Sequence, residues 1–134
     1  MTIAYYRDLR VWQQAMRLAL AYDCTNLFPA IERYVLLPQV RRTALSVPGD
    51  IAEGRGRAHT GEFLNFLSNA RGSLQELETY LIFAQQRQYL ADAQLAPAME
   101  VSDHVSRMLS RLRNTLVTRQ PRAAHSARSS RPRP

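Results

Sequence analysis

The longest regular pattern of hydrophobic residues begins at Phe63 and continues for about six helical turns. The apolar positions alternate steps of four and three residues: Phe63, Leu67, Ala70, Leu74, Leu77, Leu81 and Ala84. This spacing places all of them on one face of an α-helix. Thr60 is the predicted N-cap, because Glu62 then lies in the first turn, where its charge complements the helix dipole. The segment therefore predicts a long amphipathic helix.

Two other segments have the same helical spacing. From about residue 8 to residue 27, two adjoining apolar stripes form a wide face that needs cover on more than one side, and Phe28–Pro29 ends the segment. Near the C-terminus the pattern repeats at Ala98, Val101, Val105, Met108 and Leu112. This last helix is expected to begin at Asp92 or at Ala96, and the second choice puts Pro97 at the first helical position.

A fourth helical segment continues straight through a proline. Its apolar residues are Leu37, Val40, Ala44, Val47 and Ile51. Pro48 lacks a backbone donor and its ring clashes with the preceding turn, which predicts a kink near residues 44–46. Gly54 and Gly56 are expected to end this helix in a left-handed C-terminal cap.

These segments together predict an all-α fold. No stretch shows strand-like alternation bounded by turn residues, so four helices joined by short loops form an antiparallel up-down-up-down four-helix bundle over residues 1–118. A chain of 134 residues buries enough surface to fold without a disulfide or a metal. Residues 119–134 are rich in Arg, Pro and Ser and have no large apolar side chain, which predicts a disordered basic tail.

The positive charge is concentrated in that tail. All 18 basic residues are arginines, and residues 1–118 carry 13 of them against 11 acidic residues, so the bundle has +2 and the tail +5 of the total +7. Arginine-rich disordered segments bind RNA electrostatically, but they can also serve only to keep a protein soluble, and both interpretations remain open for this tail. The absence of aromatic residues there argues against base stacking. The predicted nucleic-acid contacts in the tail are Arg119, Arg122, Arg128, Arg131 and Arg133.

The glycine-rich stretch at residues 46–57 raises the alternative of a nucleotide site. Gly49 to Arg55 reads G-x-x-x-x-G-R, but a Walker loop needs Lys and then Ser or Thr after the second glycine, and a strand before the first. Gly54–Gly56 begins a G-x-G pattern but meets His59 where the third glycine should stand. The absence of lysine from the chain also excludes a P-loop lysine and a Schiff-base lysine. Nucleotide binding is therefore disfavoured.

Four arginines of the second helix are candidate phosphate contacts. Arg41 and Arg42 are adjacent, so they diverge by about 100 degrees, and a surface salt bridge and a phosphate contact both remain open for them. Arg55 and Arg57 flank the glycine end of the helix, where cations are favoured by the dipole and where a nucleic-acid backbone can approach closely.

A second group of residues is predicted to act in structure or at an interface. Charged residues near the apolar seams must be paired, and an ion pair between Arg71 and Glu53 is the simplest solution. A glycine in the middle of a helix costs about 1 kcal/mol relative to alanine, so Gly72 indicates a close approach of a helix or a subunit. The full set is Pro48, Glu53, Gly54, Arg71, Gly72 and Glu76.

Metal and catalytic sites find little support. Di-iron bundles use Glu-x-x-His on two helices, whereas this chain has Glu100-x-x-x-His104 once and no histidine in the first three predicted helices. Cys24 has no histidine nearby in sequence and fits a reducing compartment. We therefore expect no catalytic residue, no metal, no cofactor and no enzymatic activity. The hydrophobic runs are too short for a membrane span or a signal peptide, so a cytoplasmic protein is expected.

Several short blocks in these helices also form a known combination, which extends over about residues 6–90. They are Tyr6–Leu9, Val11–Trp12, Phe28–Pro29, Gln39–Arg42, Ser46–Pro48, Ile51–Gly54, Glu62–Phe63, Phe66–Leu67, Ala70–Leu74 and Glu76–Leu77. In order and spacing the chain resembles the four-helix-bundle proteins encoded in intervening sequences of bacterial 23S ribosomal RNA genes. It departs from them at Asp50, where the family usually has Asn, at Thr43, where it has Ala, and at Val35, where it has Gly.

The resemblance implies a bundle that assembles into a five-membered ring without known catalytic activity. Relatives that accompany retroelement reverse transcriptases are thought to hold RNA on a basic ring surface. Our leading hypothesis is therefore an oligomeric protein, a homopentamer by resemblance, that binds RNA or other structured nucleic acid through arginines. The alternative is a protein-interaction scaffold whose ring docks a partner such as a reverse transcriptase. A metal-dependent oxidoreductase would require bound iron.

Overall fold

The computed structural model describes residues 5–21 and 27–119. These ranges contain four α-helices and no strand: α1 (Arg10–Ala21), α2 (Leu36–Arg55), α3 (Thr60–Gln86) and α4 (Asp92–Thr118). Two short 3-10 turns, Tyr6–Asp8 and Ala30–Glu32, precede α1 and α2. The predicted all-α fold with four helices is confirmed. The expectations for Cys24 and for the disordered tail, with Arg122, Arg128, Arg131 and Arg133, lie outside the described residues.

The core is a single cluster of apolar side chains contributed by all four helices. The helix α1 contacts α2 and α4, and α3 contacts the same two helices. All seven residues of the apolar seam from Phe63 to Ala84 are buried, as the four-and-three spacing predicts. Pro48 is also buried, and α2 continues through it without interruption. The kink at Pro48 stays a prediction.

Two polar side chains inside this core are satisfied by hydrogen bonds. Thr43 in α2 donates its hydroxyl to the backbone carbonyl of Gln39 at 2.7 Å, within its own helix. Ser102 in α4 is completely buried and donates to a carboxylate oxygen of Glu78 in α3 at 2.7 Å. Because a buried hydroxyl without a partner is costly, the Ser102 bond joins two helices at a point where packing alone would leave an unsatisfied donor.

The end of α2 differs from the sequence prediction. The helix ends at Arg55, and Gly56 follows with φ −77°, in the right-handed region. No glycine in the described residues has positive φ, so the predicted left-handed cap is wrong. Gly54 serves packing instead: a Cβ built there would lie 2.6 Å from Cβ of Phe66 and 3.0 Å from Cδ1 of Phe63. The missing side chain lets α2 and α3 approach closely.

The starts of α3 and α4 also differ slightly from expectation. His59 occupies the N-cap of α3, and Thr60 is the first helical residue. The helix α4 begins at Asp92, the first of the two predicted choices, and Ala91 is its N-cap. The side-chain oxygen of Gln94 accepts a hydrogen bond from the backbone N–H of Ala91 at 2.8 Å. This bond satisfies one donor at the helix start, where donors lack intrahelical partners.

Candidate nucleic-acid interface

Arg42 is paired with groups of its own chain. Its guanidinium donates to the side-chain oxygen of Gln39 at 2.6 Å and lies 3.6 Å from a carboxylate oxygen of Glu76 in α3. The same Glu76 accepts a hydrogen bond from the hydroxyl of Tyr80 at 2.6 Å, and this bond raises the pKa of Tyr80 above its ordinary value. Both Arg42 and Glu76 are exposed, so their pair contributes little stability. Its geometry matches the salt-bridge alternative for Arg42.

Arg57 belongs to a cluster at the turn between α2 and α3. Its guanidinium lies 2.8 Å from a carboxylate oxygen of Glu53, 4.0 Å from one of Glu62, and 4.9 Å from the ring centre of Phe66. The predicted pair between Arg71 and Glu53 is therefore wrong. Glu53 is exposed on α2 and finds Arg57 four residues along its own chain, which needs no reach across the bundle.

Two other predicted arginines keep their charge available. Arg41 is exposed and Arg55 is half-buried, and within residues 5–21 and 27–119 neither has a carboxylate within 4.0 Å. They stand fourteen positions apart on α2, which is close to four full turns, so both lie on the same side of the helix to within about 40 degrees. Arg119, directly after α4, is exposed as well. The predicted candidates thus divide into paired and unpaired arginines.

The structure also brings together two arginines that the sequence interpretation did not combine. A cleft of about 210 Å³ between α3 and α4 is lined by Leu67, Ser68, Arg71, Leu109, Ser110 and Arg113. Arg71 had been assigned to a structural pair, and Arg113 had no assigned role. A signal for Arg113 does exist in the sequence: after Asp103 the chain carries eight arginines and no acidic residue. Only the packing of α3 on α4 makes the two arginines neighbours of one cleft.

The remaining predicted interface residues have different surroundings. Pro48 and Gly54 are buried inside the chain, whereas Glu53, Arg71 and Gly72 are exposed. A Cβ built at Gly72 would meet nothing within 4 Å, so no helix in the described part of the chain approaches it closely. The sequence offered two explanations for Gly72, the close approach of another helix and the close approach of another subunit. The first is wrong for the described helices of this chain. Approach by another subunit stays a prediction.

Large apolar side chains remain exposed just before α2 and within its first half. Ile31, Tyr34, Val35 and Leu45 have exposed fractions of 78%, 83%, 66% and 61%. Single exposed apolar residues are common, but a group of four large ones in fifteen positions is typical of a surface that contacts another molecule. The sequence interpretation missed this surface, since it counted only the residues that follow the helical seams.

The described residues offer few groups for metal chemistry. Within residues 5–21 and 27–119, no three side chains among His, Cys, Asp and Glu come close enough together to hold a metal ion. In the same ranges, no helix has the length and hydrophobicity required to cross a membrane.

These observations define the class: a four-helix, all-α protein with exposed arginines, several of which have no carboxylate within 4.0 Å in the described part of the chain. The family model for the 23S rRNA-intervening sequence protein matches residues 7–111, and the chain belongs to this family. A search of curated proteins found no match. The matched range extends about twenty residues beyond the resemblance noted in the sequence, and Arg113 follows two positions after its end.

Proposed function

We propose that this protein is a non-enzymatic, oligomeric four-helix bundle that binds RNA or other structured nucleic acid through arginines, by charge and shape. The observation that carries the proposal is that several guanidiniums have no carboxylate within 4.0 Å among the described residues, and Arg41, Arg55, Arg71 and Arg113 are four of them. Exposed and unpaired arginines are the groups that replace counterions on a phosphate backbone. We place this activity in the cytoplasm, which fits a chain with a single cysteine.

The proposed topology is an up-down-up-down bundle with α2 kinked at Pro48. Pairs of contacts between α2 and α3 support it, because Arg42 is paired with Glu76 whereas Gly54, farther along α2, lies against Phe66, earlier in α3. When later positions of one helix contact earlier positions of the next, the two helices run antiparallel. The arrangement places exposed arginines on all four helices.

Assembly would increase the affinity of this surface for RNA. Each chain carries +7, so a ring of five copies, the number that the resemblance implies, carries five times seven, or +35. The family name refers to genes for ribosomal RNA, which agrees with an RNA partner. Several weak contacts on one ring act together on a single RNA, so their combined affinity exceeds that of one subunit.

Binding of a labelled, structured RNA measured at increasing salt tests the proposal. Five tail arginines on phosphates would give a slope of log affinity against log salt of about −3 to −5, and the bundle arginines would make it steeper. A complex that forms at low salt and dissociates near about 0.5 M supports the mechanism. Absence of binding at low salt, or binding that does not change with salt, refutes it.

The oligomeric part of the proposal depends on the exposed apolar group Ile31, Tyr34, Val35 and Leu45 and on the open surface at Gly72. Sedimentation velocity of the full chain should give a mass several times 15.3 kDa. L45E should shift the distribution toward the monomer, because a charge would replace an apolar side chain at the contact. R111Q, an exposed change away from that surface, is the control. A monomeric wild type would refute the oligomer.

The same apolar surface favours the second candidate function, a scaffold that docks a protein such as a reverse transcriptase. A variant with Gln at four tail positions distinguishes the RNA-binding function from the scaffold function. The four replaced residues are Arg122, Arg128, Arg131 and Arg133. The RNA-binding proposal expects these changes to weaken RNA affinity strongly, because four phosphate contacts are lost. The scaffold expects capture of the protein partner to be unchanged by them and to be lost in L45E.

A further inference from the structure

The cleft between α3 and α4 has the composition of an anion site. Its two charged groups are guanidiniums from different helices, Arg71 and Arg113, and its hydroxyls come from Ser68 and Ser110. The remaining lining residues, Leu67 and Leu109, are both 2% exposed and so belong to the core. Every polar side chain in the lining is a donor, and none is a carboxylate.

No acidic residue in the described part of the chain neutralises these two arginines. Neither lies within 4.0 Å of a carboxylate of residues 5–21 or 27–119. Two acidic residues on the same two helices have other partners: Glu78 accepts the hydrogen bond of Ser102 at 2.7 Å, and Asp103 lies 3.6 Å from Arg107. Both arginines are exposed and line the same cleft, so an anion bound there would be attracted by two positive charges.

The size and the donors of the cleft fit one phosphate group. A volume of about 210 Å³ is many times the roughly 10–15 Å³ that a single water requires, so a tetrahedral anion fits with part of its hydration shell. Guanidinium groups bind phosphate oxygens in a bidentate manner, and serine hydroxyls add neutral donors. No aromatic side chain lines the cleft, so a base has nothing to stack on there.

We propose that this cleft binds a single phosphate group, and that in the RNA complex the group is a backbone phosphodiester. The second part rests on the proposed function. The first part does not, because a free phosphate has the same charge pattern and the same acceptor oxygens. The cleft therefore positions the RNA without reading its sequence.

The RNA test compares three substitutions that remove the same charge. R71Q and R113Q alter the cleft, and R111Q is the matched control on α4, exposed and two positions from Arg113, so that it points about 160 degrees away. We expect each cleft variant to weaken RNA binding about three- to tenfold and to reduce the salt slope by about 0.7 to 0.9, as loss of one phosphate contact does. R111Q should show less than half of either effect. Equal effects of all three variants would overturn the cleft proposal while leaving the proposed function intact.

Two further measurements separate hydrogen bonding from charge, and phosphate from RNA. S68A combined with S110A keeps the charge and should still weaken RNA binding; an unchanged affinity contradicts hydroxyl donation. In the full-length protein, titration with inorganic phosphate at constant ionic strength should shift the Nε–Hε NMR signals of Arg71 and Arg113 saturably, and R71Q should abolish the Arg113 shift. This result supports the cleft even if no RNA binds. Non-saturating shifts, the same in R71Q as in wild type, would overturn it.

Discussion

Gly54 is the point where α2 and α3 depend most directly on a missing side chain. In G54A the new Cβ would lie 2.6 Å from Cβ of Phe66, whereas carbon atoms in contact normally lie about 3.5 to 4.0 Å apart. The contacting atom is a Cβ, attached to the backbone of α3, so a change of rotamer cannot relieve the clash. The two helices must separate by about 1 Å, and the core between them loses contacts.

The expected free-energy change is the difference of two terms. Overpacking of a tight core costs typically about 1–3 kcal/mol, and alanine in place of glycine inside a helix returns about 0.5–1 kcal/mol. We therefore expect G54A to lower the free energy of unfolding by about 1–2 kcal/mol. For a domain of this size that corresponds to a fall in Tm of about 3–8 °C.

Chemical and thermal unfolding at fixed protein concentration measure the effect. The matched control is G49A, on the same helix, where a Cβ would meet nothing within 4 Å. It should stabilise the protein by about 0.5–1 kcal/mol, because only the helix-propensity term remains. Opposite signs for the two variants support the packing role of Gly54. A G54A protein as stable as G49A would refute it.

Three other predictions concern charge and hydrogen bonding. Burial, and then the nearby charge of Glu53, raise the pKa of Asp50 above its ordinary 3.8. The folded chain therefore binds the carboxyl proton of Asp50 more tightly than the unfolded chain does. Stability consequently falls as the pH rises from the ordinary pKa of the unfolded chain through the raised pKa of the folded one. D50N should remove that decline and be more stable than the wild type at pH 7, which denaturation midpoints at pH 3, 5 and 7 will show. Equal pH profiles for D50N and the wild type would contradict this prediction. R57Q should lower the free energy of unfolding by up to about 1 kcal/mol with little effect on RNA affinity. R41Q should leave the free energy of unfolding nearly unchanged and weaken RNA binding. The opposite ranking of the two variants in unfolding and binding assays would contradict the division into paired and unpaired arginines. S102A removes the hydroxyl that joins α4 to α3 and should cost about 1–2 kcal/mol in urea unfolding; an unchanged midpoint would mean that the bond adds no net stability.

The periodic spacing of apolar residues was sufficient to predict the helices. The seven-residue seam from Phe63 to Ala84 is entirely buried, and the end of α2 beside Gly54 and Gly56 was located correctly. Both follow from geometry within one helix, since 3.6 residues per turn decides which side chains share a face. The conformation of Gly56 was not predicted correctly, because a helix end that packs on the next helix does not require a left-handed residue.

The candidate site was only partly accessible to sequence reasoning. Among the described residues, Arg41 and Arg55 have no carboxylate within 4.0 Å, while Arg57 is held by neighbouring carboxylates and Arg71 joins Arg113 in a cleft instead of pairing with Glu53. Thus the sequence by itself determined most of the residues that face inward and that arginine supplies the positive charge, although Leu36 is buried in place of the predicted Leu37. Only the tertiary structure decided which charges meet across two helices, because such contacts depend on how far each helix is rotated and shifted against its neighbour. The period along one helix contains no information about either quantity.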